Sequence, residues 1–75
     1  MMIVIRTTYG SPSFYDRIAE MAAQYNGRPD GMEEVTLNDA IGASLVFKSD
    51  VYFSNKPDAD LFFENRLNGV EYSRM

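Results

Sequence analysis

Residues 43–54, "ASLVFKSDVYFS", decide the fold of this chain. Leu45, Phe47, Val51 and Phe53 fall on one side of an alternating pattern, the signature of a half-buried strand, and Ser49 interrupts it. The run is therefore either one long bent strand or a hairpin turning at Ser49-Asp50. A Ser-Asp turn lacks the glycine or asparagine that two-residue hairpins favour, so the long strand is the preferred reading.

Working back from it, "NDAIG" (38–42) breaks the pattern as a loop, or as one helical turn capped by Thr36 with Asp39. "EEVTL" (33–37) reads as a short strand, and "RPDG" (28–31) as a turn with proline second and glycine fourth. Residues 12–25 are helical: Phe14, Ile18, Met21, Ala22 and Tyr25 share about one third of the circle at 100° per residue. Asn26-Gly27 supplies the left-handed stop. "MIVIRTT" (2–8) is β-branched and apolar without a helical period, and reads as the first strand. Working forward, Pro57 and Asp58 open a second helix within 55–69, which Asn68-Gly69 closes. Ala59, Phe62, Phe63 and Leu67 share its apolar face. "VEYSRM" (70–75) reads as a last short strand.

The order is β-α-β-β-α-β: one α+β domain over residues 1–75, with two helices on one face of an antiparallel sheet. That order fits a ferredoxin-like topology. A meander with a single covering helix is the alternative, should the second helix be strand.

The junction "TTYGSPSFYDR" (7–17) has the outline of a phosphate-binding loop: strand, glycine bend, helix N-terminus. It holds only Gly10 and no lysine, whereas Ser11 suits an N-cap and Pro12 the first helical position. A plain helix start is the favoured reading.

Composition narrows the chemistry. The chain has no cysteine and no histidine, which removes thiolate ligands and the commonest general base. Eleven acidic and seven basic side chains give a net charge of −4, with the basic residues scattered singly. Direct nucleic-acid binding is disfavoured. The opening "MMIVIR" is too short for a signal-peptide core or a membrane span, so a cytoplasmic protein with no membrane partner is expected.

The most enzyme-like string is "PDADLFFENR" (57–66), in which Asp58, Asp60 and Glu64 suggest a metal-dependent, nuclease-like site. Its spacer is short, Arg66 stands where lysine is expected, and acidic residues at a helix N-terminus have a simpler electrostatic role. No catalytic residue, metal or cofactor is expected.

Five tyrosines and five phenylalanines exceed what one small core readily hides. Phe14, Phe47, Phe53 and Phe63 are assigned to the core by periodicity. Tyr9, Tyr15, Tyr52 and Tyr72 are assigned to edges and to the opposite strand face, as a contact surface. With two helices on one face of the sheet, the other stays open, and alternation points Val46, Lys48, Asp50 and Tyr52 at it. The partner is another protein, a second copy of the chain, or both. In size and composition the chain resembles the small, acidic, cysteine-poor accessory proteins of tailed bacteriophages, including those that block host defence systems. That resemblance implies a non-catalytic inhibitor, adaptor or accessory subunit acting in the host cytoplasm, and it assigns no functional residue.

Overall fold

The computed structural model describes residues 1–39 and 41–75. Strand β1 (Ile3–Tyr9) leads to helix α1 (Phe14–Gln24), the two-residue β2 (Arg28–Pro29), β3 (Glu33–Asp39) and β4 (Gly42–Phe53). Helix α2 (Lys56–Glu64) and β5 (Val70–Arg74) follow.

The long run is a single strand of twelve residues. From Phe47 to Phe53 it pairs antiparallel with β1, whose other side carries β5. Phe47 and Lys48 also pair with Glu34 and Glu33 of β3, so β3 lies on the side of β4 away from β1. Arg28 and Pro29 pair with Tyr52 and Val51 on that same side. Strands β2 and β3 thus form one interrupted edge, and the sheet reads β5, β1, β4, then this edge. With both helices on one face, this is the ferredoxin-like arrangement.

The "RPDG" turn needs correction: Arg28 and Pro29 are strand, and the break falls after them. Asp30 bridges it, donating its N–H to the Asp50 carbonyl and accepting the Asp50 N–H on Oδ1, both at 3.0 Å. The ladder keeps its hydrogen bonds while Gly31 takes φ 107°, a value that favours glycine. The 38–42 break is also narrower than its sequence suggests. Asn38 and Asp39 extend β3, and Asp39 pairs with Gly42, so neither belongs to a helical turn. Ala40, at the middle of that stretch, lies outside the described residues.

Helix α1 begins two residues later than the proline suggests. The Ser11 and Pro12 carbonyls accept the N–H groups of Phe14 and Tyr15 at 3.2 and 3.1 Å, winding residues 11–15 into a tight entry turn. Ser13 is the N-cap, without a side-chain cap bond, and Ser11 Oγ instead lies 2.9 Å from Ser13 Oγ. The exit is as expected. Gly27 N–H reaches the Ala22 carbonyl at 2.7 Å, Asn26 N–H reaches that of Ala23 at 3.3 Å, and Asn26 is left-handed at φ 59°. Helix α2 starts at the Asn55 cap, whose Oδ1 accepts the Asp58 N–H at 3.0 Å. It ends at Glu64, earlier than Asn68-Gly69 suggests. The Asn65 backbone N–H and side-chain amide both donate to the Leu61 carbonyl, at 3.0 and 2.8 Å, and close the helix there.

The core lies between helices and sheet. Ile5 and Tyr9 of β1, Phe47, Val51 and Phe53 of β4, and Val70 and Tyr72 of β5 face Ile18, Ala22, Ala59 and Phe62. Phe62, rather than Phe63, is the fully buried ring of α2, while Phe63 and Phe14 are half-buried at its margin. Rings run through this layer in contact, Phe53 to Phe62 and Phe62 to Tyr72 each at 5.2 Å between centroids.

Gly27 ends α1 directly against this layer. A Cβ there would sit 2.6 Å from Phe53 Cζ and 3.0 Å from Val51 Cγ1. We expect Gly27→Ala to destabilise by about 1–3 kcal/mol through overpacking, read as a lowered denaturation midpoint. Gly10→Ala, in open space, serves as the matched control.

Candidate functional site: the open face of the sheet

Antiparallel neighbours point to the same side of a sheet, so the register defines the face that no helix covers. Val4, Arg6 and Thr8 of β1 lie opposite Tyr52, Asp50 and Lys48 of β4. On the outer side, Lys48 lies opposite Glu33, Val46 opposite Val35, and Ser44 opposite Leu37. The four β4 residues assigned to this face from alternation, Val46, Lys48, Asp50 and Tyr52, all stand on it and are half-buried.

Ion pairs occupy its centre. Arg6 grips Asp50 with two bonds, Nε to Oδ1 at 2.8 Å and Nη2 to Oδ2 at 3.1 Å. Beside it, Lys48 Nζ lies 3.3 Å from Glu33 Oε2. The Arg6 hydrogen bond holds the Asp50 carboxyl below the ordinary aspartate range, and the carboxylate in turn raises the Arg6 guanidinium. At one end of the face, Tyr52 borders a cavity of about 430 Å³ shared with Met1, Met2, Asn26, Arg28, Phe53 and Ser54.

The four tyrosines assigned to a contact surface do not meet. Tyr9 and Tyr72 are core residues, 2% and 7% exposed. Each phenol has a partner inside. Tyr9 Oη lies 2.7 Å from Ser49 Oγ, and Tyr72 Oη accepts the Leu67 N–H at 3.1 Å. Burial raises both phenols above the ordinary tyrosine range. Tyr15 is half-buried on α1, in the helical layer, leaving Tyr52 as the one of the four on the open face.

The acidic string on α2 is also dispersed. Asp58 Oδ2 accepts from Asn55 Nδ2 at 3.0 Å and from Asn26 Nδ2 at 3.4 Å. Asp60 pairs with Lys56 at 2.7 Å and Arg74 at 2.9 Å, and those bonds lower its carboxyl. Glu64 is exposed, and among the described residues no three acidic side chains cluster as metal ligands do.

Sequence reasoning missed the far end of β4. Alternation assigns Leu45 to the covered side, and it does point there, yet no helix reaches it and it is 51% exposed. Leu37, on the opposite face, is 49% exposed and Ile41 is 98% exposed. The signal available was the length of the apolar alternation, which outruns the strand that β1 can offer.

No family profile matches this chain, and neither does any curated protein. Solved structures do match. Prephenate dehydratase from Streptococcus mutans is similar at 17% identity with a TM-score of 0.67, over 97% of this chain. The chain spans only 40% of the length of that protein. The stable protein CutA1 from Shewanella sp. SIB1 is similar at 10% identity and a TM-score of 0.57, over 99% of this chain and 80% of that one. The ACT domain from GTP pyrophosphokinase of Chlorobium tepidum matches at 11% identity and 0.56, over 100% and 85%. At these identities the likeness is one of fold. Among the described residues, no helix is long and apolar enough to cross a membrane.

The Arg6–Asp50 pair gives the face a pH signature. Because the Asp50 carboxyl is lowered in the folded state, its stabilisation is present above the unfolded aspartate pKa, about 3.9, and is lost as pH falls through the folded value. We expect the melting temperature to fall below about pH 4. Asp50→Asn should make that fall shallower, without abolishing it, because Asp60 carries the same sign. An unchanged acid slope in Asp50→Asn would show that the pair does not couple to folding.

Proposed function

We propose that this chain is a non-catalytic protein-binding domain whose contact surface is the open face of its sheet. The observation that carries the reading is the pairing of apolar and charged groups there. Val4, Val46 and Tyr52 supply desolvatable surface, and the Arg6–Asp50 and Lys48–Glu33 pairs supply polar groups fixed in register. Such a mixture is what a protein partner reads, with aromatic anchors giving affinity and charge placement giving specificity. The carboxylates of α2 do not converge: Asp58 is held by Asn55 and Asn26, Asp60 by Lys56 and Arg74, and Glu64 stands exposed, which weighs against the metal-dependent alternative. The composition shared with phage accessory proteins favours an inhibitor or accessory subunit working in the cytoplasm, on another protein or on a second copy.

Two experiments test this reading. Truncating a central aromatic anchor costs about 2 kcal/mol or more of binding, roughly a 30-fold loss. Tyr52→Ala should therefore weaken association with a protein captured from the source cell by at least that factor, with the melting temperature nearly unchanged. Full binding by Tyr52→Ala would move the contact off this face. The second experiment addresses the metal alternative: Mg²⁺ or Mn²⁺ should leave the melting temperature unmoved, because a specific site would raise it with metal concentration by mass action. Saturable stabilisation abolished by Asp58→Asn would replace the binding domain with a metal-dependent one.

A further inference from the structure

Two of the asparagines in this chain, Asn26 and Asn68, are followed by glycine. An asparagine side chain is an electrophile for the backbone nitrogen of the next residue. Once that nitrogen gives its proton to hydroxide, it attacks the asparagine Cγ, closes a five-membered succinimide and expels the side-chain nitrogen as ammonia. Water then opens either carbonyl of the ring, leaving aspartate or, with one more atom in the backbone, isoaspartate. Glycine offers the least hindered nitrogen because it has no Cβ. The two Asn-Gly steps are alike in sequence, and the fold treats them differently.

At Asn26 the attacking nitrogen is occupied. Gly27 N–H donates to the Ala22 carbonyl at 2.7 Å and closes the end of α1. Gly27 is packed so tightly against Phe53 and Val51 that a Cβ has no room, so its backbone has little freedom to swing toward Asn26. The Asn26 amide is engaged as well, Nδ2 donating to Asp58 Oδ2 at 3.4 Å.

At Asn68 these restraints are missing. Val70 N–H reaches the Leu67 carbonyl at 3.3 Å and Gly69 takes φ 89°, which makes residues 67–70 a type II turn with Asn68 and Gly69 at its corners. The peptide between two corner residues takes no part in the hydrogen bond of the turn. Among the described residues, neither the Gly69 N–H nor the Asn68 side chain has a partner, and both residues are exposed. The remaining asparagines precede the bulkier Asp39, Lys56 and Arg66, and the side chains of Asn55 and Asn65 are held at the two ends of α2.

We propose that Asn68 is a site of spontaneous modification, converted through the succinimide to aspartate and isoaspartate, while the fold preserves Asn26. Conversion adds a negative charge to a chain of net charge −4. The isoaspartyl product also lengthens the turn that leads into β5. Leu67 N–H is held by Tyr72 Oη at 3.1 Å, and Gly69 lies against the Phe14 ring, where a Cβ would be 3.0 Å from Cζ. The extra backbone atom therefore falls between two anchored points and strains the entry to β5.

The test is timed incubation of the folded full chain in mildly alkaline buffer, followed by peptide mapping with mass spectrometry, beside a parallel sample in urea. We expect the folded chain to lose the Asn68 amide about tenfold or more faster than the Asn26 amide, because Asn26 reacts only in molecules opened at the end of α1. In urea the two steps should react at comparable rates. Asn68→Gln should remove the early acidic form seen on ion exchange and leave Asn26 as slow as before. Asn26 converting as fast as Asn68 in the folded chain overturns the proposal, and so does Asn68 converting no faster than Asn38, Asn55 and Asn65. An Asn26 that stays slow in urea would show that its protection does not come from the fold. The isoaspartyl form, separated by chromatography, should melt below Asn68→Asp, which carries the charge without the extra backbone atom. Equal melting temperatures would overturn the strain at β5.

Discussion

The hydrogen bond between Tyr9 and Ser49 lets β4 run straight through the core. Ser49 sits at an inward position, 1% exposed, in the middle of a strand whose other inward residues are apolar. Unpaired, its hydroxyl would cost about 1–3 kcal/mol of desolvation. Tyr9 brings the same problem from the neighbouring strand, with a phenol that must enter the core. Each solves the other at 2.7 Å, and Thr7 Oγ1 adds a bond to the Ser49 carbonyl at 2.8 Å. Serine is also small, leaving room for the tyrosine ring to stack on Phe47 at 6.1 Å. Among the described residues no buried side-chain polar atom is left without a partner. The apparent gap in the apolar pattern is thus a fitted notch.

A strand that does not turn at Ser49 has twelve residues, while the strand beside it has seven. This mismatch accounts for the exposed apolar side chains better than composition does. Over the body, β4 has β1 on one side, an edge strand on the other and helices above, so its inward residues are buried. Beyond Phe47 only the edge strand continues, and Leu45 keeps its orientation but loses its cover. The same continuity lays Val46, Lys48, Asp50 and Tyr52 in one line down the open face.

Periodicity was legible wherever one element decides it. The alternation of 43–54, the amphipathic face of α1 and the Asn26-Gly27 stop all yield the right element, and together the right topology. Properties needing two distant elements were not legible. Whether a tyrosine is core or rim depends on a hydroxyl partner, and that of Tyr9 lies forty residues away. Leu45 is inward by its own strand and exposed for want of a helix, which no local pattern records. Asp58 and Asp60 look like a metal pair in sequence, yet Asp60 is held by Arg74, fourteen residues on. The open-face residues of β4 were recovered because facing is a strand property. The tyrosines from other elements were not, because burial is a property of the assembled fold.

Asp50 shows why a charged centre suits such a face. Its backbone N–H and carbonyl both bond to Asp30 across the break in the edge, and its carboxylate takes two bonds from Arg6 on the other side. One residue therefore ties the edge, the central strand and β1 together. An apolar residue pair in place of Arg6 and Asp50 would carry no desolvation cost and is expected to be at least as stable. It would also join Val4 and Tyr52 into a larger apolar patch bounded by the Lys48–Glu33 pair, and apolar surface adheres with less choice of partner or register. A bidentate ion pair whose carboxylate is already anchored through its own backbone has little freedom to swing away. If the open face is the contact surface proposed above, a docking surface would have to place its charges to match, so selectivity would come from the groups that add least to stability.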